Sequence, residues 1–288
     1  MRVTIVSGQS GSGKTVALHT LEDEGFYCID NLPSSLLPAL LTRIRDSLSG
    51  LYKQVAVGID ARSEMAAGLE GFPEQLENLR NQGHDVRVLY LRTDMQVLLR
   101  RFSETRRKHP LSGRDMPLIR AIEVERDLLA PISASADLVI DTTTLNLHQL
   151  REQIRSRVLH SDSEHMALLV QSFGFKYGVP ADTDFVFDVR CLPNPHWKVD
   201  LRELTGLDQP VADYLEEHPM VEEMYHSLRG FLDRWIPAYQ DSGRAYMTVS
   251  IGCTGGQHRS VYLARRLHNH YRQSLDNTSL RHRELNVV

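Results

Sequence analysis

The 288-residue chain has little cysteine, three residues in all, and little tryptophan, only two. Cys28, Cys191 and Cys253 lie far apart and none stands in a CxxC pair. That excludes a disulfide-stapled scaffold and a thiolate zinc site. No apolar run approaches the roughly 20 residues that a membrane-spanning helix needs. The opening MRVTIVSGQSGSGK has no apolar stretch ending in small residues, so it reads as a strand entering a loop, not an export signal. A cytoplasmic protein with no membrane partner is the expectation. A large charge excess is missing too: 33 Lys and Arg against 37 Asp and Glu leave a net charge of −4. Any nucleic-acid binding must therefore come from a local patch. Repeats and low-complexity tracts are also absent.

What is there suits a globular protein, with 41% hydrophobic and 24% charged residues. The length favours two domains. In the first half, apolar runs at Val3–Ser7, Tyr27–Asp30, Val55–Asp60, Val86–Leu91 and Leu138–Asp141 alternate with stretches of helical spacing. Short apolar strands alternating with helices predict βαβ units on a parallel sheet. After a polar lapse near residue 160, the pattern resumes with runs at Ala167–Phe173 and Phe185–Val189. A helix over Val221–Trp235, a strand over Tyr246–Ile251, a helix over Ser260–Tyr271 and a basic tail then follow. The expected fold class is α/β. An N-terminal P-loop (kinase-like) parallel-sheet domain spans 1–159, and a smaller C-terminal α/β domain spans 160–288.

Gly8-Gln9-Ser10-Gly11-Ser12-Gly13-Lys14-Thr15 matches GxxxxGK[ST] in full, between a strand and a helical stretch. The glycines let successive N–H groups face one concavity, and the helix adds its positive end. Lys14 is then placed for the β/γ-phosphates and the Thr15 hydroxyl for Mg²⁺, which makes a nucleotide such as ATP the expected ligand. Asp60, closing its apolar run, is the favoured carboxylate to hold the metal through water, and Asp30 is the second. The cluster Arg100, Arg101, Arg106, Arg107 and Lys108 fits either a phosphoryl clamp or a solvated helix end.

A second glycine loop, Cys253-Thr254-Gly255-Gly256-Gln257-His258-Arg259-Ser260, has the Cx₅R[ST] spacing of cysteine-dependent phosphatases. Amides, the Arg259 fork and a helix N-terminus suit a bound phosphate. Hydrolysis also needs a general acid, and nothing in the sequence brings the candidate, Asp188, near. Arg265, Arg266, Arg272, Arg281 and Arg283 form the densest basic stretch and the candidate RNA patch, with a solvated helix face as the plain alternative.

Several blocks together resemble the bacterial RapZ/YvcJ family. They are VSGQSGSGKTVALHTLEDEGFYCIDNLP, RRFSETRRKHPL, SFGFKYGVP, FDVRCLPNPHW, TGLDQPV, IGCTGGQHRSVYLARRL and RHREL, and they span nearly the whole chain. The resemblance implies binding of ATP and GTP with weak ATPase/GTPase activity, regulatory in purpose. It also implies a C-terminal domain for a phosphorylated sugar and RNA. The family's adapter branch binds a small regulatory RNA, directs its processing by the endoribonuclease RNase E, senses glucosamine-6-phosphate and forms a homo-oligomer. Carried over by motif, Gly8 to Thr15 hold ATP, and Asp60, Ala61, Arg62 and Ser63 form the guanine-nucleotide segment. His196, Thr254, Gly255, Gly256 and Arg259 form the phosphosugar pocket. No catalytic residue is assigned. A small-molecule kinase and a cysteine phosphatase are the competing readings.

Overall fold

The computed structural model describes residues 2–48, 54–64, 69–113, 116–159, 166–242 and 244–285. The chain divides into two compact units, Met1–Arg155 and Ser156–Val288. Among the described residues no helix is long and apolar enough to cross a membrane.

In the first unit, strands β1 (Arg2–Gly8), β2 (Tyr27–Ile29), β3 (Gln54–Gly58), β4 (Asp85–Arg92) and β5 (Leu138–Asp141) form one sheet in the order β2-β3-β1-β4-β5. Every pairing is parallel. Helices α1 (Lys14–Asp23), α2 (Leu37–Leu48), α3 (Ala61–Glu64), α4 (Phe72–Asn81), α5 (Met95–Thr105), α6 (Leu118–Leu128), α7 (Ala130–Ala134) and α8 (Leu147–Ile154) connect and flank it. β1 is central: Val3 lies between Val55 and Val86 in register. Its apolar side chains pack with Val57, Val88, Leu41, Ile44 and Leu79 in one core. Each such fully buried aliphatic side chain contributes roughly 1.5–3 kcal/mol. The centre of the sheet thus carries the loop after β1 on the most firmly held strand.

In the second unit, β6 (Ala167–Gly174), β7 (Phe185–Asp188), β8 (Tyr246–Cys253) and β9 (Thr278–His282) form a parallel sheet in the order β7-β8-β6-β9. Leu168, Val170, Val249 and Ile251 pack against α10 (Pro219–Asp241) and α11 (Arg259–Tyr271), with α9 (Gln209–Glu216) beside them. The opposite face mixes buried apolar side chains, Leu169 and Phe173, with buried polar ones. Gln171 donates to Ser250 Oγ at 2.8 Å, and the buried Arg157 donates to Thr248 Oγ1 at 2.9 Å.

Of the elements absent from the sequence reading, which include the short helices α3 and α7, two shape the second unit. The stretch after α11, read from its charge as a basic tail, contains the edge strand β9. Its sequence TSLRH has too little apolar alternation to register as a strand, and pairing with β6 creates it. α9 is likewise absent from the sequence reading; Pro210 sits in its first turn, where a missing N–H costs nothing.

Candidate functional site

The P-loop turns between the carboxyl end of β1 and the start of α1. Gly8, Gly11 and Gly13 have φ of +147°, +86° and +109°, a region that side chains with a Cβ rarely adopt. At Gly8 space is decisive as well: a Cβ there would lie 2.3 Å from the Leu91 carbonyl oxygen on β4. Gly13 caps α1 without any side-chain hydrogen bond, which leaves the first helical N–H groups to an anion.

The loop opens on a cavity of about 440 Å³ lined by Lys14, Thr15, Asp30, Asp60, Arg62, Arg101, Arg107 and Lys108, among others. Lys14 Nζ donates to the Gly8 carbonyl at 2.6 Å. Burial lowers the Lys14 pKa, while the nearby Glu125, Asp60 and Asp30 carboxylates oppose that shift. Asp60 is 3% exposed. It accepts from Arg62 Nη2 at 2.6 Å, Arg62 Nε at 2.9 Å and the Arg62 backbone N–H at 3.0 Å. The amide of Asn31, with its nitrogen turned toward Asp60, reaches the two carboxylate oxygens at 2.8 and 3.2 Å. Asp30 is accommodated because residue 58 is glycine; a Cβ there would come within 2.5 Å of its carboxylate. Of the expected guanine-nucleotide segment, Asp60 and Arg62 line this cavity. Ala61 is 1% exposed, in the core, and the Ser63 side chain lies outside the described residues.

The basic cluster after β4 splits in two. Arg101 braces the P-loop, donating to the Gly11 carbonyl at 2.9 Å and to the Thr142 carbonyl at 2.7 Å. Thr142 in turn donates to the Ser12 carbonyl at 2.9 Å. Arg106 ends α5 in the left-handed conformation, and the chain beyond it brings Arg107 and Lys108 to the cavity. Arg100 faces away, 3.8 Å from Glu104 on the exposed side of the helix.

One residue escapes sequence reasoning. Glu125 on α6 is 1% exposed and accepts from Ser10 N at 2.8 Å and Ser10 Oγ at 2.6 Å. Burial pushes its pKa up, but hydrogen bonds from His109 and Ser10 and the charge of Lys14 outweigh burial and hold it below the usual carboxylate range. The available signal was a lone carboxylate in the buried stripe of α6, alongside Ala121 and Ile122.

In the second unit, the Cys253–Ser260 loop joins β8 to α11. Cys253 is 3% exposed and belongs to the core. Its Sγ accepts from Gly256 N at 3.2 Å and lies 3.1 Å from Ser260 Oγ. Arg259, 4% exposed, spends its fork on main-chain carbonyls: Nη1 donates to Arg190 O at 2.8 Å and Leu192 O at 3.0 Å. Its Nη2 reaches Thr254 Oγ1 at 3.4 Å, and its Nε is buried without a partner. The His196 ring lies 6.3 Å from that of His258, so the PNPHW block does adjoin the loop. The pairing of β7 with β8, which the sequence did not disclose, brings Asp188 near, in register with Gly252 beside Cys253. Hydrogen bonds from Arg190 hold its carboxyl below the usual range, with the Arg259 charge assisting. That shift favours the ionised form over the protonated one that the general acid of a phosphatase needs.

The five arginines of the candidate RNA patch have different surroundings. Arg265 donates to Leu207 O at 3.0 Å from an exposed position, and Arg272 at the end of α11 is exposed. Arg266 forms a bidentate pair with Glu222 at 2.5 and 3.1 Å and lies 3.9 Å over the Tyr225 ring. Arg281 sits 3.9 Å from Asp182, with 15% of its side chain exposed. Arg283 donates to the carbonyls of Gly174 and Gly178 at 3.2 and 2.8 Å. Arg281 and Arg283 therefore support the β9 edge, which charge alone does not reveal.

Comparison with known proteins agrees with this division. Residues 1–162 match the model of the RapZ-like N-terminal domain and residues 166–286 that of the RapZ C-terminal domain. A "Nucleotide-binding protein" of Thioalkalivibrio sulfidiphilus is 55% identical over 286 residues, covering 99% of this chain and all of the relative. A "Nucleotide-binding protein in ptsO 5'region" of Pseudomonas putida is 55% identical over 285 residues, again 99% of this chain and all of the relative. Among solved structures, shikimate kinase from Bacteroides thetaiotaomicron aligns at a TM-score of 0.37 and 14% identity, over 55% of this chain and 98% of that one. That likeness is too slight to bear on activity. Two consecutive domain matches and full-length relatives at this identity place the chain in the RapZ family.

Proposed function

We propose that the protein is a regulator that binds ATP and GTP with Mg²⁺ in its first unit and hydrolyses them slowly. In its second unit it binds a phosphorylated sugar and a small RNA, which it presents to RNase E in the control of glucosamine-6-phosphate synthesis. One observation carries the nucleotide part: Lys14, Thr15 and Asp60 line a single cavity at the mouth of a glycine loop whose helix has no side-chain cap. Family membership supports the rest. The Thr15 hydroxyl and the carboxylates of Asp60 and Asp30 are hard oxygen donors of the kind Mg²⁺ takes, directly or through water. When bound, the ion neutralises charge on the phosphates. Lys14 and the α1 amides hold the phosphates in place, and Arg101 keeps the loop in shape.

Calorimetric titration with ATP and GTP, with and without Mg²⁺, tests this reading, and no binding of either nucleotide would refute it. Asp60→Asn is expected to slow Mg²⁺-dependent hydrolysis by about tenfold while affinity changes less, since its role is toward the metal. Equal hydrolysis by the variant would move that role to Asp30. For RNA, the exposed Arg265 and Arg272 are the positions to replace, because changes at Arg281 and Arg283 damage the sheet. Removing both should make the slope of log K against log salt shallower by about 1.4 for single-stranded RNA. The presence of Arg107 and Lys108 on the cavity wall favours a second reading, a small-molecule kinase. It requires ATP turnover that rises with an added acceptor.

A further inference from the structure

We infer that Glu125 is a positioning residue that locks the P-loop to the basic wall of the cavity. It fixes Ser10 and the Arg107–Lys108 pair around the terminal phosphate of a nucleoside triphosphate. This rests on the nucleotide reading of the cavity and adds to it a residue that no P-loop motif contains.

Both carboxylate oxygens are in use, and they reach two different segments. Oε1 accepts from Ser10 Oγ at 2.6 Å, while Oε2 accepts from Ser10 N at 2.8 Å and meets His109 Nε2 at 3.1 Å. The Leu111 backbone N–H donates to His109 Nδ1 at 3.1 Å. Nδ1 is therefore the acceptor and Nε2 carries the proton that goes to Glu125. His109 is 2% exposed, its ring lies 5.2 Å from that of Phe102, and its carbonyl accepts from Ser112 Oγ at 2.8 Å. The segment that presents Arg107 and Lys108 is thus tied down one residue later, by a side chain whose Nε2 leads through Glu125 to the P-loop.

A buried carboxylate with three donors is stable only while all three are in place, because an uncompensated buried charge is costly. The geometry is therefore held as a unit. Methionine at this position keeps the length but offers no strong acceptor to either partner. Glutamine would not break the link, because its N–H₂ can donate to the Ser10 hydroxyl while its oxygen keeps Ser10 N and His109. With methionine both arms are released, and the basic wall no longer sits at a fixed place over the loop.

A residue that merely stabilises the unit would, when altered, weaken every nucleotide alike. A positioning residue for the terminal phosphate affects triphosphate and spares diphosphate. The experiment measures ATP, ADP, GTP and GDP affinities of the full chain by calorimetry for the wild type, Glu125→Met, His109→Phe and His109→Gln. The triphosphate-to-diphosphate affinity ratio is expected to fall about tenfold in Glu125→Met and His109→Phe, the order of one charge-assisted hydrogen bond. His109→Gln restores a donor and should recover part of the ratio. An unchanged ratio in Glu125→Met and His109→Phe, or an equal loss for di- and triphosphates, overturns the inference while leaving the nucleotide site standing. If the wild type binds no nucleotide, the nucleotide reading fails and takes this inference with it. Circular dichroism checks folding. Should Glu125→Met not fold, Ser10→Ala removes only the Oγ arm and must still lower the ratio.

Discussion

Replacing Lys14 by alanine is expected to lower ATP and GTP affinity by roughly 10- to 150-fold, the span of about 1.5–3 kcal/mol for a charged hydrogen bond. Its ammonium is the cation that the glycine loop itself supplies to a cavity that also holds Asp30 and Asp60, so the variant removes positive charge beside two carboxylates. The fold should persist, because the lysine ends on a loop carbonyl and not in the core. Because burial lowers the Lys14 pKa, the free protein loses this charge earlier than an ordinary lysine does as the pH rises. Wild-type affinity should therefore decline on the alkaline side sooner, and the variant should lack that limb. Calorimetry across pH with thermal melts as control measures all of this, and unchanged affinity in a folded variant would remove the P-loop assignment.

The second large effect is on stability. Arg259→Ala is expected to destabilise the second unit by about 2–5 kcal/mol, because it strands the buried Leu192 carbonyl and the partly buried Arg190 carbonyl and opens a hole where the guanidinium was. The carbonyls of Arg190 and Leu192 have this side chain as their donor, and it joins the β8–α11 loop to the segment after β7. Since one nitrogen, Nη1, serves both acceptors, an ammonium can do the same, so Arg259→Lys should recover part of the loss and lack only the Nη2 reach to Thr254. Cys253→Ser should cost far less. Urea denaturation followed by Trp197 and Trp235 fluorescence reads the transition of this unit. A midpoint for Arg259→Ala equal to wild type would return the arginine to a purely ligand-binding role.

How legible these sites were depended on sequence distance. The P-loop is a contiguous octapeptide, and its strand and helix follow from local periodicity, so both were visible. The all-apolar strands of the first sheet were visible for the same reason, being covered on both faces. Glu125 was not, because its partner Ser10 lies 115 residues away and only the packing of α6 joins them. The nearness of Asp188 to Cys253 depends on β7 pairing with β8, an order that no local pattern encodes. For Arg281 and Arg283 the charge could be read but not the acceptors opposite, and a basic run looks the same whether it faces solvent or holds a strand edge.

The position of β6 in its sheet has a consequence for biosynthesis. All eight of its residues are buried in the finished unit, yet its neighbours are β8 at residues 246–253 and β9 at 278–282. While the intervening chain is made, ALLVQSFG has two open edges and no lasting partner. Closing such long parallel connections is entropically slow, and an unpaired apolar strand is a template for intermolecular pairing. The first unit faces no comparable delay, since β1 meets β3 by residue 58. The C-terminal unit is thus expected to fold after the first, with Ala167–Gly174 its most exposed apolar segment until β8 is made.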